Sequence, residues 1–277
     1  MHVNIISVSA FTIDGKGGNK AGLVMDPGTY SRSQKQKIAA KAGFSEIAFV
    51  SPSEIADFKL EFFTPVCQIP HCGHATIAAF SYLKSTGLIE GDHSSKETID
   101  GIREIFFDGN MVFMQQQPGK HQQHHNIGEI AASLKINTAQ LQSLPVIVNT
   151  GNSFMLIELG SEDELREVDP NFDLIAEISQ INGLTGFYLY VRTPGKVWIA
   201  TTRMFAPLYG IKEEAATGTA AGPLAWWLYK ENPEAGNAML IRQGELMKIP
   251  SASNLEVLVN RANSKVPNLF VGGYGTH

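Results

Sequence analysis

Apolar and polar positions alternate along the opening of the chain in a way that sets strands apart from turns. "VNIISVSAF" reads as a strand, "GKGGNKAG" as a glycine-rich turn and "LVM" as a resumed strand. "SRSQKQKIAAKAGF" predicts an amphipathic helix, with Ser31 as its N-cap and Gly43 as its stop. "SEIAFV" and "FKLEFFTP" predict two more strands, and "ATIAAFSYLKSTG" predicts a helix ending near Gly87.

The same order returns in the second half. "LPVIVNTGNSFMLIEL" repeats strand, Gly-Asn turn and strand, with Gly151-Asn152 standing where Gly18-Asn19 stood. "RMFAPLYGI" matches "EFFTPVCQI", and "ATGTAAGPLAWWLYK" matches "HCGHATIAAFSYLK". Three echoes in one order predict a single duplication rather than a solenoid. The expected units are an N-terminal lobe of residues 1–118, with the C-terminal strand 266–277 as a candidate to complete it, and a C-terminal lobe of 119–265. The polar run "QQQPGKHQQHHNIGE" between them reads as a linker or long surface turn. Its His121, His124 and His125 are read as solvated rather than as a metal cluster, since no carboxylate or thiol is near in sequence.

Composition narrows the classes. A chain of 277 residues, 43% hydrophobic and 18% charged, can bury a sizeable core. A net charge of −5 lacks the basic surplus that phosphate recognition needs, so no nucleic-acid partner is expected. No apolar window is long enough to span a bilayer and the N-terminus lacks a signal pattern, so the expected place is the cytoplasm, with no membrane partner. The two cysteines, Cys67 and Cys72, are too few for a disulfide scaffold.

The chemistry concentrates at two glycine turns. In each half a strand ending Phe-Xaa-Pro leads to a glycine, a small polar residue and a helix: Phe63, Pro65, Gly73 and His74, then Phe205, Pro207, Gly218 and Thr219. The first turn of a helix offers N–H groups to an anion, such as a small acid's carboxylate or a developing enolate. If the lobes pack about a pseudo-twofold axis, the two helix starts face one cleft. Pro223 is expected in the first turn of its helix, where a missing N–H costs little.

"HCGHATIAA" raises three alternatives. Cys67, His71, Cys72 and His74 could bind zinc, but the spacing lacks paired CxxC-like character, so no metal is expected. A two-thiol racemase would need a cysteine at each helix start, and the second half has none. Cys72 could act alone with His74 as its base, or be a small buried hydrophobe. Two carboxylates are better placed. Glu46 is one charge within an otherwise apolar strand, so burial should raise its pKa and let it shuttle a proton near neutral pH. Glu214 lies just before the second turn and is a candidate partner for His74; Glu46, His74 and Glu214 are the expected catalytic residues, the last two orienting and neutralising the substrate.

The motifs "GNKAGLV", "SEIAF", "FFTPVCQIPHCGHATIAA", "RMFAPLYGIKEEAATGTAAGPLA", "RQGELMKIPS" and the closing "VGGYG" together resemble the PhzF-like family, the phenazine-biosynthesis isomerase relatives with the diaminopimelate epimerase fold. The resemblance implies an α+β fold of two pseudo-symmetric lobes, each a mostly antiparallel, barrel-like sheet wrapped around a central helix. It further implies a homodimer and a cofactor-independent isomerase or epimerase acting on a small, cyclic or amino carboxylate. The family's proton-moving glutamate and its assisting histidine fall on Glu46 and His74, and its acidic and hydroxyl residues at the second turn fall on Glu214 and Thr219. Gly73, Ala75, Gly218, Thr219, Asn19 and Cys72 are the expected substrate-binding positions. The second motif departs from Glu-Asp-Pro-Ala-Thr-Gly-Ser-Ala: Glu214, Ala215 and Thr219 replace its aspartate, proline and serine. Gln68 and His71 replace an acidic and an apolar residue, and Lys20 a proline. A non-catalytic small-molecule binder on the same fold is the rival expectation.

Overall fold

A computed structural model describes residues 3–28, 30–259 and 268–277. The chain divides into two compact units, Met1–Gln115 with Gly272–His277, and Gln116–Val271.

In the first unit the elements run β1 (Ile6–Thr12), β2 (Asn19–Met25), α1 (Arg32–Lys41), β3 (Ile47–Pro52), β4 (Phe58–Phe63), β5 (Gln68–Ile69), α2 (Gly73–Ser85), β6 (His93–Thr98), β7 (Gly101–Asp108) and β8 (Met111–Gln116). The second unit adds β9 (Lys120–Gln123), α3 (Ile127–Leu134), β10 (Val146–Asn149), β11 (Ser153–Glu158), α4 (Glu162–Glu167), α5 (Phe172–Asn182), β12 (Gly186–Arg192), β13 (Ala200–Ala206), β14 (Ile211–Glu214), α6 (Gly218–Glu231), β15 (Ala238–Gln243) and β16 (Ser253–Val259). The closing strand β17 (Leu269–Thr276) returns the chain to the first unit. Residues 266 and 267 of the expected C-terminal strand lie outside the described residues.

Pairing explains the echoes in the sequence. β1–β2 is antiparallel, β2–β3 parallel, β3–β4 antiparallel, β4–β6 parallel and β6–β7 antiparallel. β10–β11, β11–β12, β12–β13, β13–β15 and β15–β16 repeat that series with the same directions. In the first unit β7 continues to β8, β8 to β17 and β17 to β1, which closes an eight-stranded barrel. Closure leaves no edge strand in the ring. The fold is thus α+β and duplicated, as the alternation and the resemblance predicted.

The helices sit where the strands can bury them. Ten of the thirteen residues of α2 are buried, including Ile77, Ala78, Ala79, Phe80 and Leu83. Small residues let a strand come close: a Cβ on Gly275 of β17 would lie 2.3 Å from Ser81 Oγ. α1 starts as its sequence predicts, with Ser31 and Gln34 forming a capping box at 3.3 and 2.8 Å. Ala39 of α1 packs with Val24, Ile47, Phe49 and Phe63. The second unit has its own core, in which Ile130, Leu134, Met155, Ile157, Ile175, Phe187 and Phe205 are fully buried.

Three local expectations change. The run read as a linker contains β9, which pairs antiparallel with β10, and the start of α3. Its exposed side chains disguise a backbone that is held in a sheet. Asn19 is not in the turn but begins β2, opposite Ala10. The turn itself is made by Gly18 at φ +79°, where a Cβ would come within 2.5 Å of the Ala10 carbonyl oxygen. Pro223 lies beyond the first turn of α6, which begins at Gly218. It therefore removes the N–H that would otherwise bond the Thr219 carbonyl four residues earlier.

Candidate functional site

At the first glycine turn β5 is followed by the extended residue Cys72, the N-cap of α2, with φ −141° and ψ 120°. Its side chain does not cap the helix. Thr76 donates from its hydroxyl to the Cys72 carbonyl at 2.6 Å and fastens the turn. His74, the second helical residue, is thereby aimed at Glu46, which stands immediately before β3 rather than inside it. His74 Nε2 lies 3.0 Å from Glu46 Oε2, and the two side chains are only 2% and 3% exposed. No hydrogen-bond donor among the described residues is aligned on Glu46 Oε2, so the approach is a charge contact with a bent axis.

Burial alone would raise the pKa of Glu46, and it is the largest single influence. The His74 charge, with close polar contacts from His74 and Ser45, outweighs it and holds the carboxyl below its ordinary value. This corrects the expectation of a raised pKa, which considered desolvation without a partner.

Cys72 Sγ is 3.6 Å from His74 Nδ1. The donor atoms of Glu46, Cys72 and His74 lie within 4.8 Å of one another, and theirs is the group among the described residues with the donor types and spacing for a metal ion. A structural zinc takes four ligands. The two further candidates from the sequence are engaged elsewhere: Cys67 lies against Thr64 Oγ1 at 3.7 Å, and His71 Nδ1 is 3.2 Å from Lys96 Nζ. Neither cysteine forms a disulfide. The first unit therefore brings together Glu46, Cys72 and His74, with Gly73 and Ala75 buried in the same helix turn. Asn19, also buried, stands at the start of β2.

The second unit builds its turn differently. Glu214 ends β14 opposite Met204, is buried, and accepts from the Thr217 hydroxyl at 2.7 Å. Thr217 is the N-cap of α6, and again its side chain does not cap the helix. Gly218 and Thr219 follow as the first two helical residues, both buried. Two glutamines that sequence reasoning passed over hold this turn. Gln243 Nε2 donates to the Glu214 carbonyl at 2.8 Å and to Thr217 Oγ1 at 3.1 Å. Its Oε1 accepts from the Thr217 N–H at 3.1 Å and from the Tyr188 hydroxyl at 3.0 Å, so the buried amide is fully satisfied. Gln116 donates to the Gly218 carbonyl at 2.8 Å and accepts from Thr150 at 2.7 Å. Gln243 had a signal, since it lies in "RQGELMKIPS"; Gln116 was hidden in the run read as a linker.

Of the three linker histidines, His121 lies tilted against the Trp226 and Trp227 rings and contacts Lys230 at 2.9 Å, a cation neighbour that suits no metal site. No helix of the described residues is long and apolar enough to cross a membrane.

The duplicated α+β fold thus carries a buried Glu-His pair at one glycine turn and a buried Glu-Thr pair at the other. Comparison with known proteins places the chain in a family. The model of the family "Phenazine biosynthesis-like protein", PhzC-PhzF, matches residues 8–276, and the chain belongs to this family. It is 31% identical over 287 residues to "Uncharacterized isomerase YddE" of Salmonella typhimurium, covering 99% of this chain and 95% of that protein. A PhzF-family phenazine biosynthesis protein of Bacillus anthracis has a similar structure, with a TM-score of 0.87, 25% identity, and coverage of 100% of this chain and 97% of that one. A hydroxyproline epimerase of Agrobacterium vitis, solved with bound trans-4-hydroxy-L-proline, shares the fold at a TM-score of 0.65 and 13% identity, over 99% and 88% of the chains. Family and relatives make this chain an isomerase, the enzymatic of the two expectations.

Proposed function

We propose that the chain moves a proton on a small carboxylate without a cofactor, with Glu46 as the proton shuttle. The observation that carries this reading is the buried Glu46 Oε2, 3.0 Å from His74 Nε2 and without an aligned donor among the described residues. A carboxylate so held is ionised at neutral pH and has a lone pair to offer. Glu46 accepts a proton from a carbon next to an activated group; the C–H electron pair moves into that group as an enolate. The proton then returns to a different carbon or the opposite face, and Glu46 is regenerated. His74 balances the charge and orients the carboxylate. Gly73, Ala75, Cys72 and Asn19 in the first unit, and Gly218, Thr219 and Glu214 in the second, are the residues proposed to bind substrate. A homodimer and a cytoplasmic location complete the proposal. The epimerase of the same fold binds a cyclic amino acid, which supports small amino carboxylates as the first compounds to test.

The test is solvent exchange. Incubation in D₂O with cyclic and α-amino carboxylates should give deuterium in the recovered compound for at least one of them, read by mass spectrometry. Glu46→Gln should slow it by about 10²- to 10⁴-fold. Exchange at an undiminished rate in this variant overturns the assignment of Glu46.

A further inference from the structure

Lys96 is a charged residue of β6 with no exposed surface at all. Alternation along β6 buries Ser94, Lys96 and Thr98, so the strand turns polar side chains inward. The Lys96 ammonium meets three neutral acceptors: Thr76 Oγ1 at 2.7 Å, His71 Nδ1 at 3.2 Å and Met114 Sδ at 3.3 Å. The Phe62 ring of β4 lies 5.3 Å away and faces it as a π-partner.

These contacts lead to the reactive pair. Thr76, which accepts the Lys96 hydrogen bond, donates its own hydroxyl hydrogen bond to the Cys72 carbonyl at 2.6 Å. His71, the other polar partner, immediately precedes Cys72. Lys96 thus grips the Cys72-Gly73 turn from both sides, and His74 springs from that turn. His71 and Lys96 go together: the resemblance placed an apolar residue at position 71, and here that position supplies the acceptor for a buried amine.

We propose that Lys96 is a positioning residue for the Glu46-His74 pair: through Thr76 and His71 it anchors the turn that aims His74. The proposal rests on reading Glu46 and His74 as the proton-transfer pair. The ionisable groups facing Lys96 are His71 and Cys72 from the turn, Arg103 from β7, and Asp100 from the turn before it; Arg103 and Asp100 pair with each other at 2.6 Å. Burial lowers Lys96 to about 7, with Cys72 and Asp100 pulling it upward and Arg103 downward. Burial, then Lys96 and Arg103, push His71 well below its ordinary value, so it stays neutral and can accept.

The test needs no substrate. Full-length protein carrying ¹³C-labelled histidine is titrated by NMR, with the His74 signal assigned from its loss in His74→Asn. In Lys96→Met the turn is released and His74 loses its fixed approach to the Glu46 carboxylate, so its midpoint should fall by about half a pH unit or more. Lys96→Arg, which retains hydrogen-bond donors, should move it less. A His74 midpoint unchanged in folded Lys96→Met, with near-ultraviolet circular dichroism like the wild type, overturns the proposal. Should that variant not fold, Thr76→Val decides: it cuts the link between Lys96 and the Cys72 carbonyl while keeping the lysine, it should lower the His74 midpoint in the same way, and an unchanged midpoint overturns the proposal. Failure of solvent exchange would instead bear on Glu46, and leaves this titration readable.

Discussion

The two glycine turns have the same backbone plan and opposite electrostatics. At the first, the groups behind the α2 start are ionisable: Glu46 with His74, and Lys96 with His71. At the second, the groups behind the α6 start are mostly neutral amides and hydroxyls: Gln243, Gln116, Thr217 and Tyr188, with Glu214 bonded to Thr217. Duplication supplied two similar frames, and their side chains differ. Charged groups that can gain or lose a proton suit proton transfer, whereas a saturated amide network suits a rigid surface that holds an anion still.

That division can be broken most severely at Glu46. Glu46→Gln should lower proton exchange by about 10²- to 10⁴-fold, the usual span for a lost general base, and Glu214→Gln measured in the same assay should cost less. An equal or larger loss at Glu214 would reverse the division of labour. At the second turn the expected damage is to stability. Gln243→Leu strands the Thr217 N–H and the Tyr188 hydroxyl, and should destabilise by about 2–4 kcal/mol in urea denaturation. A loss below about 0.5 kcal/mol would show that the amide network does not hold the turn.

The pH dependence of stability sharpens the contrast further. The folded pKa of Lys96 is about 7, below its ordinary 10.5. Between these values the unfolded chain keeps a proton that the folded chain has released, so this group makes stability rise with pH across the window. Below 7 both states are protonated and the burial penalty is fully present. Lys96→Met should flatten that rise in pH-dependent thermal melts, while Gln243→Leu should leave its slope intact. Glu46 works in the opposite sense, because its folded pKa is lowered. Its contribution is present above the ordinary carboxylate range and is lost as acid carries the pH down through the folded value.

Smaller effects test packing. Gly222→Ala would place a Cβ 2.0 Å from Gln116 Oε1, and should cost about 1–3 kcal/mol by pushing the amide off the Gly218 carbonyl. Ser31→Ala, at the capping box of α1 and apart from both turns, should cost about 1 kcal/mol and leave exchange unchanged.

Much of this design was legible in the chain. The capping box at Ser31, the strand-turn-helix order and its repetition could all be read from local periodicity, because helix and strand each impose their own spacing on apolar residues. Glu46 and His74 were legible as candidates because a lone carboxylate beside apolar residues and a histidine at a helix start are unusual. Their mutual effect was not. The sequence-based expectation of a raised Glu46 pKa counted desolvation, and only the 3.0 Å contact with His74 reverses its sign.

Lys96, Gln116 and Gln243 escaped for a common reason. Polar side chains read as surface in any one-dimensional pattern, and "HSSKET" or "QQQPGK" looks solvated until the sheet decides which face points inward. Pro223 shows the same limit on a smaller scale: its distance from the helix start depends on where α6 begins, and the backbone of Thr217 and Gly218 decides that. The sequence by itself determined the elements, their duplication and the residue types available for chemistry, since these follow from local spacing and composition. Which polar groups are buried, what each one touches, and therefore which way each pKa moves were decided only by the tertiary structure, because burial and Coulomb energies depend on distances through space.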